Sequence, residues 1–113
     1  FLQSAQRLDH HVRAHALQLR PALAQRHVVI VDRYYWSTAA YQGARGADPE
    51  QIIADHESFA PRPDVFLLLD VPVEQGLERI RRRGDEPNDF EKKDSLEKAR
   101  GIFLGLAAQG ELE

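Results

Sequence analysis

Residues 28–31, Val-Val-Ile-Val, run straight into the charged pair Asp32-Arg33, and no other stretch limits the fold as much. Four consecutive β-branched residues favour an extended backbone over a helix. A run that is apolar at every position predicts a strand covered on both faces, as in a parallel sheet. That strand is expected over 27–32. A second run, Val65-Phe66-Leu67-Leu68-Leu69, also ends in an aspartate, Asp70, and predicts a strand over 65–70. The connection between them is helical in pattern and too long for a hairpin, which suits a right-handed βαβ crossover. The expected fold class is therefore α/β, a parallel sheet flanked by helices. In such a sheet ligands sit beyond the carboxyl ends of the strands. A carboxylate and a guanidinium there suit a metal ion and an anion, most simply a phosphate. A strand-end salt bridge explains these two residues as well when they are taken alone.

The remaining segments read as helices. Leu2, Ala5, Leu8, Val12, Ala16 and Leu19 recur at steps of three and four, the mark of an amphipathic helix over 1–20, with Pro21 interrupting it and starting another turn. Ser37 is a candidate N-cap for a short helix through Tyr41 that Gly43 and Gly46 end. Asp48-Pro49-Glu50 predicts a fresh helix start, with Ile52, Ile53, His56 and Phe59 turned inward and Pro61-Arg62-Pro63 as the break. Val73 to Arg82 predicts a helix with Val73, Leu77 and Ile80 inward, residues 84–88 a loop, and Phe90 to Ala108 a last helix with Leu96, Ala99, Phe103 and Leu106 on one side.

Length and composition exclude several function classes. The 113 residues make one domain at most, and a net charge of −3 argues against broad nucleic-acid binding. With no cysteine there is neither a disulfide nor a thiolate zinc site. No apolar run reaches membrane-spanning length and no signal peptide is visible, so a cytoplasmic setting is expected. The chain opens in a helical pattern without a methionine, which predicts a segment of a longer protein.

Three clusters carry candidate chemistry. Asp32-Arg33 is the first. The second is Arg79, Arg81, Arg82 and Arg83, which repel one another unless an anion lies between them; a phosphoryl-transfer site would use them on a closing loop, and a solvated arginine face is the plainer reading. The third is the aromatic run Tyr34, Tyr35, Trp36 with Tyr41. Core packing explains most aromatics, but at a strand end a planar base could stack on them. His11 and His15 stand one helical turn apart, but no third ligand is in view, so solvent-facing histidines are the favoured reading.

These residues resemble the bacterial thymidylate kinases. Asp32-Arg33-Tyr34 followed by Ser37-Thr38-Ala39-Ala40-Tyr41-Gln42-Gly43 is similar to that family's Asp-Arg-Tyr and Ser-x-x-Ala-Tyr-Gln-Gly signature. Arg20-Pro21-Ala22-Leu23-Ala24, Arg62-Pro63-Asp64 through Leu69-Asp70-Val71-Pro72, and Gly76-Leu77-Glu78-Arg79 follow the same family in order. The resemblance implies a three-layer P-loop kinase fold, here a single partial nucleoside monophosphate kinase domain over 1–113, that transfers a phosphoryl group from ATP to thymidine monophosphate with magnesium, as a homodimer. It implies that Arg33 clamps the acceptor phosphate and Asp32 organises magnesium through water. Arg7 and Thr38 would meet the base, with Ser37 beside them. Tyr41 would pack on the deoxyribose near Gln42. Arg79, Arg81 and Arg83 would lie at the approach to the lid, and Phe90-Glu91 at its end.

The chain departs from that pattern in three places. Gln3 stands where the family has a phenylalanine that stacks on thymine, with Phe1 or Trp36 as candidate substitutes. Asn88-Asp89 precede Phe90-Glu91 where Asp-Arg is usual. No G-x-x-x-x-G-K-[ST] phosphate loop occurs, so these residues alone are expected to have little or no kinase activity. Two alternatives stay open: a related kinase for another nucleotide, and a non-catalytic nucleotide-binding remnant.

Overall fold

A computed structural model describes residues 2–85 and 92–110, with side chains from residue 10 onward. The described residues form five helices: α1 (Leu2–Ala24), α2 (Tyr35–Gly43), α3 (Pro49–Glu57), α4 (Val73–Arg82) and α5 (Lys93–Ala108). α2 is the centre of the packing. It touches α1, α3 and α5, while α4 rests on α5.

No strand or sheet occurs among the described residues, so the expected parallel sheet over 27–32 and 65–70 is not seen. Burial alternates residue by residue along both segments, as along an extended chain, but neither pairs with the other or with any described segment. No backbone–backbone hydrogen bond involves residues 28–33 or 62–71 among the described residues. Each is covered on one face only. Val29 and Val31, then Phe66 and Leu68, pack against the helical core. Val28 and Ile30 are 94% and 93% exposed, and Leu67 and Leu69 78% and 92%. β-Branching fixes an extended backbone locally, but a strand exists only when a second chain segment satisfies its N–H and C=O groups.

The helices follow the sequence more closely. α1 runs through Pro21 without a break. Only three residues follow the proline, so the hydrogen bond that it cannot donate is lost near the helix end. The chain then turns with Arg26 at φ 60°. His27 N–H donates to Ala22 O at 3.0 Å and Arg26 N–H to Leu23 O at 2.9 Å, a left-handed C-terminal turn made without glycine. α2 starts at Tyr35, two residues before the expected Ser37 cap, and no side chain caps it. α3 starts as its sequence predicts, with the Asp48 carboxylate accepting from Glu50 N–H at 3.0 Å and Gln51 N–H at 3.4 Å. The bounds of α4 match the expectation, with Leu77 buried. α5 begins at Lys93 rather than Phe90, and Phe90 lies outside the described residues.

The core joins Val12, Ala16 and Leu19 of α1 to Tyr34, Tyr35, Trp36 and Ala39, with Ile53, Ala60 and Leu106 closing it. Small residues on α2 let its neighbours approach. A Cβ at Gly43 would lie 2.7 Å from Pro49 Cγ and 2.8 Å from Ile102 Cδ1, so α3 and α5 both meet α2 at this glycine.

Candidate functional site

The site is built on the turn from the first extended segment into α2. Arg33 has φ 73° and Tyr34 φ 78°. With ψ −166°, Tyr34 occupies a region used almost only by glycine. Side chains strain this backbone by about 1–3 kcal/mol per residue, which persists only when the surroundings over-determine it. Here they do. The Tyr34 ring is buried, its centroid lies 4.7 Å from that of Tyr35, and its hydroxyl donates to Pro61 O at 3.1 Å. Tyr35 stacks on Trp36 at 4.2 Å and donates to Glu57 Oε1 at 3.1 Å. Glu57 also pairs with Arg62 at 3.4 Å. Arg20 Nη2 donates to Phe59 O at 2.8 Å, and the Arg13 guanidinium covers the Phe59 ring at 3.9 Å. Residues 57–61 are thus fixed to α1 and to the turn at once.

Electrostatics make these tyrosines struts rather than acids or bases. Burial pushes the Tyr34 phenol above its usual range, opposed by the nearby Arg20 charge. Burial, then the Glu57 charge and hydrogen bond, push Tyr35 higher still. Both remain neutral donors at physiological pH.

The aromatic run does not form the stacking platform that its position suggests. Tyr35 and Trp36 are 0% and 1% exposed, and Trp36 meets Phe66 edge-on at 5.0 Å. Trp36 is therefore core, and cannot stand in for the stacking phenylalanine that Gln3 replaces. Tyr41, half-buried on α2, is the aromatic that faces outward. The exposed Arg33 reaches it, with the guanidinium carbon 5.5 Å from the ring centroid. Arg33 makes no ion pair with Asp32 or with any other carboxylate among the described residues, so the strand-end salt bridge is absent.

The other expected residues divide. Ser37 is half-buried in the first turn of α2, and Thr38 and Gln42 are buried one helical turn apart. Both amide atoms of Gln42 are without a hydrogen-bond partner among the described residues, as is Trp36 Nε1. Asp32 is exposed at the start of the turn. Arg79, Arg81 and Arg83 are exposed at the end of α4. Glu78 lies 3.8 Å from Arg81 and 3.0 Å from Arg82, and Asp85 lies 3.0 Å from Arg83, so neighbouring carboxylates answer the charge crowding here. Among the described residues no ion pair or hydrogen bond links these arginines to Arg33. Arg7 belongs to α1 by its backbone, but its side chain, like Phe90 and Glu91, lies outside the described residues. Among the described residues no group of three or more His, Cys, Asp or Glu could hold a metal, which leaves His11 and His15 without a third ligand.

One contact escapes sequence reasoning. Arg100 on α5 grips Asp70 with both ends of its fork, Nε at 2.7 Å and Nη2 at 2.8 Å. Asp70 is visible as a charge closing an apolar run, but nothing in the helix pattern marks Arg100 as its partner. The guanidinium holds the Asp70 carboxyl below its usual range.

Comparison with known proteins adds an independent line. The family model described as thymidylate kinase matches residues 1–112. A relative named thymidylate kinase from Xanthomonas oryzae pv. oryzae (strain PXO99A) is 53% identical over 92 residues, which covers 81% of this chain and 40% of the relative. One of the same name from Desulfotalea psychrophila is 53% identical over 90 residues, 79% of this chain and 44% of the relative. The chain therefore spans less than half the length of the curated relatives it matches. No solved structure gives a significant match.

Proposed function

The chain belongs to the thymidylate kinase family, and from that premise we propose that these residues form the acceptor side of a kinase that transfers the γ-phosphoryl group of ATP to thymidine monophosphate. The observation that carries this reading is Arg33: a guanidinium at a strained turn, resting on an aromatic face, with no carboxylate to neutralise it among the described residues. Such a group suits a phosphate, which accepts from the planar fork at two points.

In this reading Arg33 grips the acceptor phosphate, and Tyr41 lies against the deoxyribose with Ser37, Thr38 and Gln42 around the nucleoside. The unsatisfied carboxamide of Gln42 supports a polar partner near that end of α2. Arg7, Phe90 and Glu91 complete the nucleoside pocket by family likeness alone. Arg79, Arg81 and Arg83 serve the approach to the lid, exchanging Glu78 and Asp85 for substrate oxygens. Asp32 fits magnesium as a single carboxylate acting through water, since that ion is commonly held by one or two carboxylates together with substrate phosphates. When bound there, the ion supplies neutralisation of charge on the transferred group. The chain's own residues orient the acceptor oxygen and keep its phosphate charge-balanced, and positioning of that kind supplies most of the catalysis in phosphoryl transfer.

A cytoplasmic homodimer belongs to the same proposal. Leu17 and Leu23, exposed on α1, support a covered surface there, and α3 is the other candidate. No described helix is long and apolar enough to cross a membrane.

Arg33→Ala in the full-length protein tests the central role. Turnover of thymidine monophosphate should fall by about 10²–10³; a wild-type rate overturns the assignment. The buried Trp36 and the Gln3 position favour a second reading, a related kinase with another base preference. Turnover of thymidine, uridine and cytidine monophosphates, compared side by side, decides between the two.

A further inference from the structure

We propose that Tyr41 is a positioning residue for Arg33: its ring face holds the guanidinium in place while leaving every N–H donor open to the acceptor phosphate. This rests on the reading of Arg33 as the phosphate clamp. It gives Tyr41 a task separate from any contact with the sugar.

Arg33 lies outside the helix, on a turn whose own φ and that of the next residue are both left-handed. A long side chain on such a turn keeps several rotors, and freezing them on substrate binding costs affinity. Proteins usually fix an arginine with a carboxylate. That partner occupies the fork and cancels its charge, so it competes with an incoming phosphate. An aromatic face holds a guanidinium through the ring quadrupole and takes up none of its five donors. The 5.5 Å separation of Arg33 and Tyr41 is within the range of that attraction.

The platform is itself rigid. Tyr41 stands on α2, which packs against α1, α3 and α5. The buried Ala39, Ala40 and Gln42 flank it on the same helix. The strained turn is fixed at its other end by the Tyr34 hydroxyl on Pro61 O and by the ring contact of Tyr34 with Tyr35. Backbone and ring together leave the guanidinium one preferred location.

The test is a double-mutant cycle in the full-length protein, with Arg33→Ala, Tyr41→Leu, both together, and Tyr41→Phe. Calorimetric dissociation constants are measured for thymidine monophosphate and for thymidine, which lacks the phosphate. If Tyr41 acts through Arg33, Tyr41→Leu weakens the monophosphate by about three- to tenfold more than it weakens thymidine, whose own loss reports the contact with the sugar. The double variant then prefers the monophosphate over thymidine no less than Arg33→Ala does, and Tyr41→Phe, which keeps the face, restores the preference for phosphate. Thymidine binding by each variant shows that the pocket is folded. Equal loss of both ligands in Tyr41→Leu, or losses of the preference for phosphate that multiply in the double variant, overturn the proposal and leave packing on the sugar. Undiminished monophosphate affinity in Arg33→Ala instead removes the clamp itself, and the proposal with it, so the two failures are told apart.

Discussion

Tyr35 shows how one buried phenol ties the site to the pH. It is 0% exposed and donates to Glu57. Its burial, the Glu57 charge and the hydrogen bond all raise its pKa above the ordinary value of 10.0. A raised folded pKa means that the unfolded chain gives up the proton first. The contribution is therefore whole below about pH 10 and is lost as pH rises past it. Tyr35→Phe should flatten this alkaline loss, although Tyr34, shifted the same way, keeps part of the slope. At neutral pH the variant should lose about 1 kcal/mol with the Glu57 bond. Urea melts at steps from pH 8 to 11 check both, and an unchanged alkaline slope in the variant refutes the role given to Tyr35. At this scale the site is half legible in the sequence. Arg33 and Tyr41 announce a charge and an aromatic. The left-handed turn at Arg33 and Tyr34 is silent, because neither is a residue type that favours positive φ.

Whole elements are legible where the signal is local. Asp48, Pro49 and Glu50 specify the start of α3 by themselves: the carboxylate reaches two free N–H groups, the proline supplies a preset φ, and the glutamate suits the helix dipole. Asp48→Ala should therefore destabilise the fold by about 1 kcal/mol, with Asp48→Ser recovering most of it. Thermal melts of the two variants measure this, and an Asp48→Ala midpoint equal to wild type refutes the cap. Ser37 misleads for the complementary reason. It has the right chemistry for a cap, but the rings of Tyr34 and Tyr35 fix the turn earlier, so tertiary packing sets the first residue of α2. The extended segments mark the limit of pattern reading. Residues 28–31 and 65–69 predict strands, and no strand forms there among the described residues. Pairing is a relation between two segments, and no composition of one strand specifies its partner. The apolar positions also divide by alternation rather than being buried throughout, with Val29 and Val31 inward and Val28 and Ile30 outward.

Across the whole molecule, the Asp70–Arg100 fork does what a ladder of hydrogen bonds does elsewhere. It fastens the end of the second extended segment to α5 across 30 positions of sequence. Among the described residues Phe66 and Leu68 seat the segment on the core, and this bidentate contact fixes where its end lies. Both side chains are 40% exposed, and salt should weaken the pair. The sign of its pH dependence follows from the carboxyl. Arg100 lowers the Asp70 pKa below the ordinary 3.8, first through the hydrogen bond and then through its charge. The folded state therefore takes up the proton less readily than the unfolded one. The stabilisation is complete above about pH 4 and disappears as pH falls through the depressed value. Asp70→Asn should lower the urea midpoint by a constant amount from pH 5 to 7, and the gap to wild type should close below pH 4. Arg100→Gln should reproduce the gap, and the double variant should add little to either. A gap that stays constant to pH 2, or single effects that sum in the double variant, would show that each residue acts by itself and that something else anchors the segment to α5.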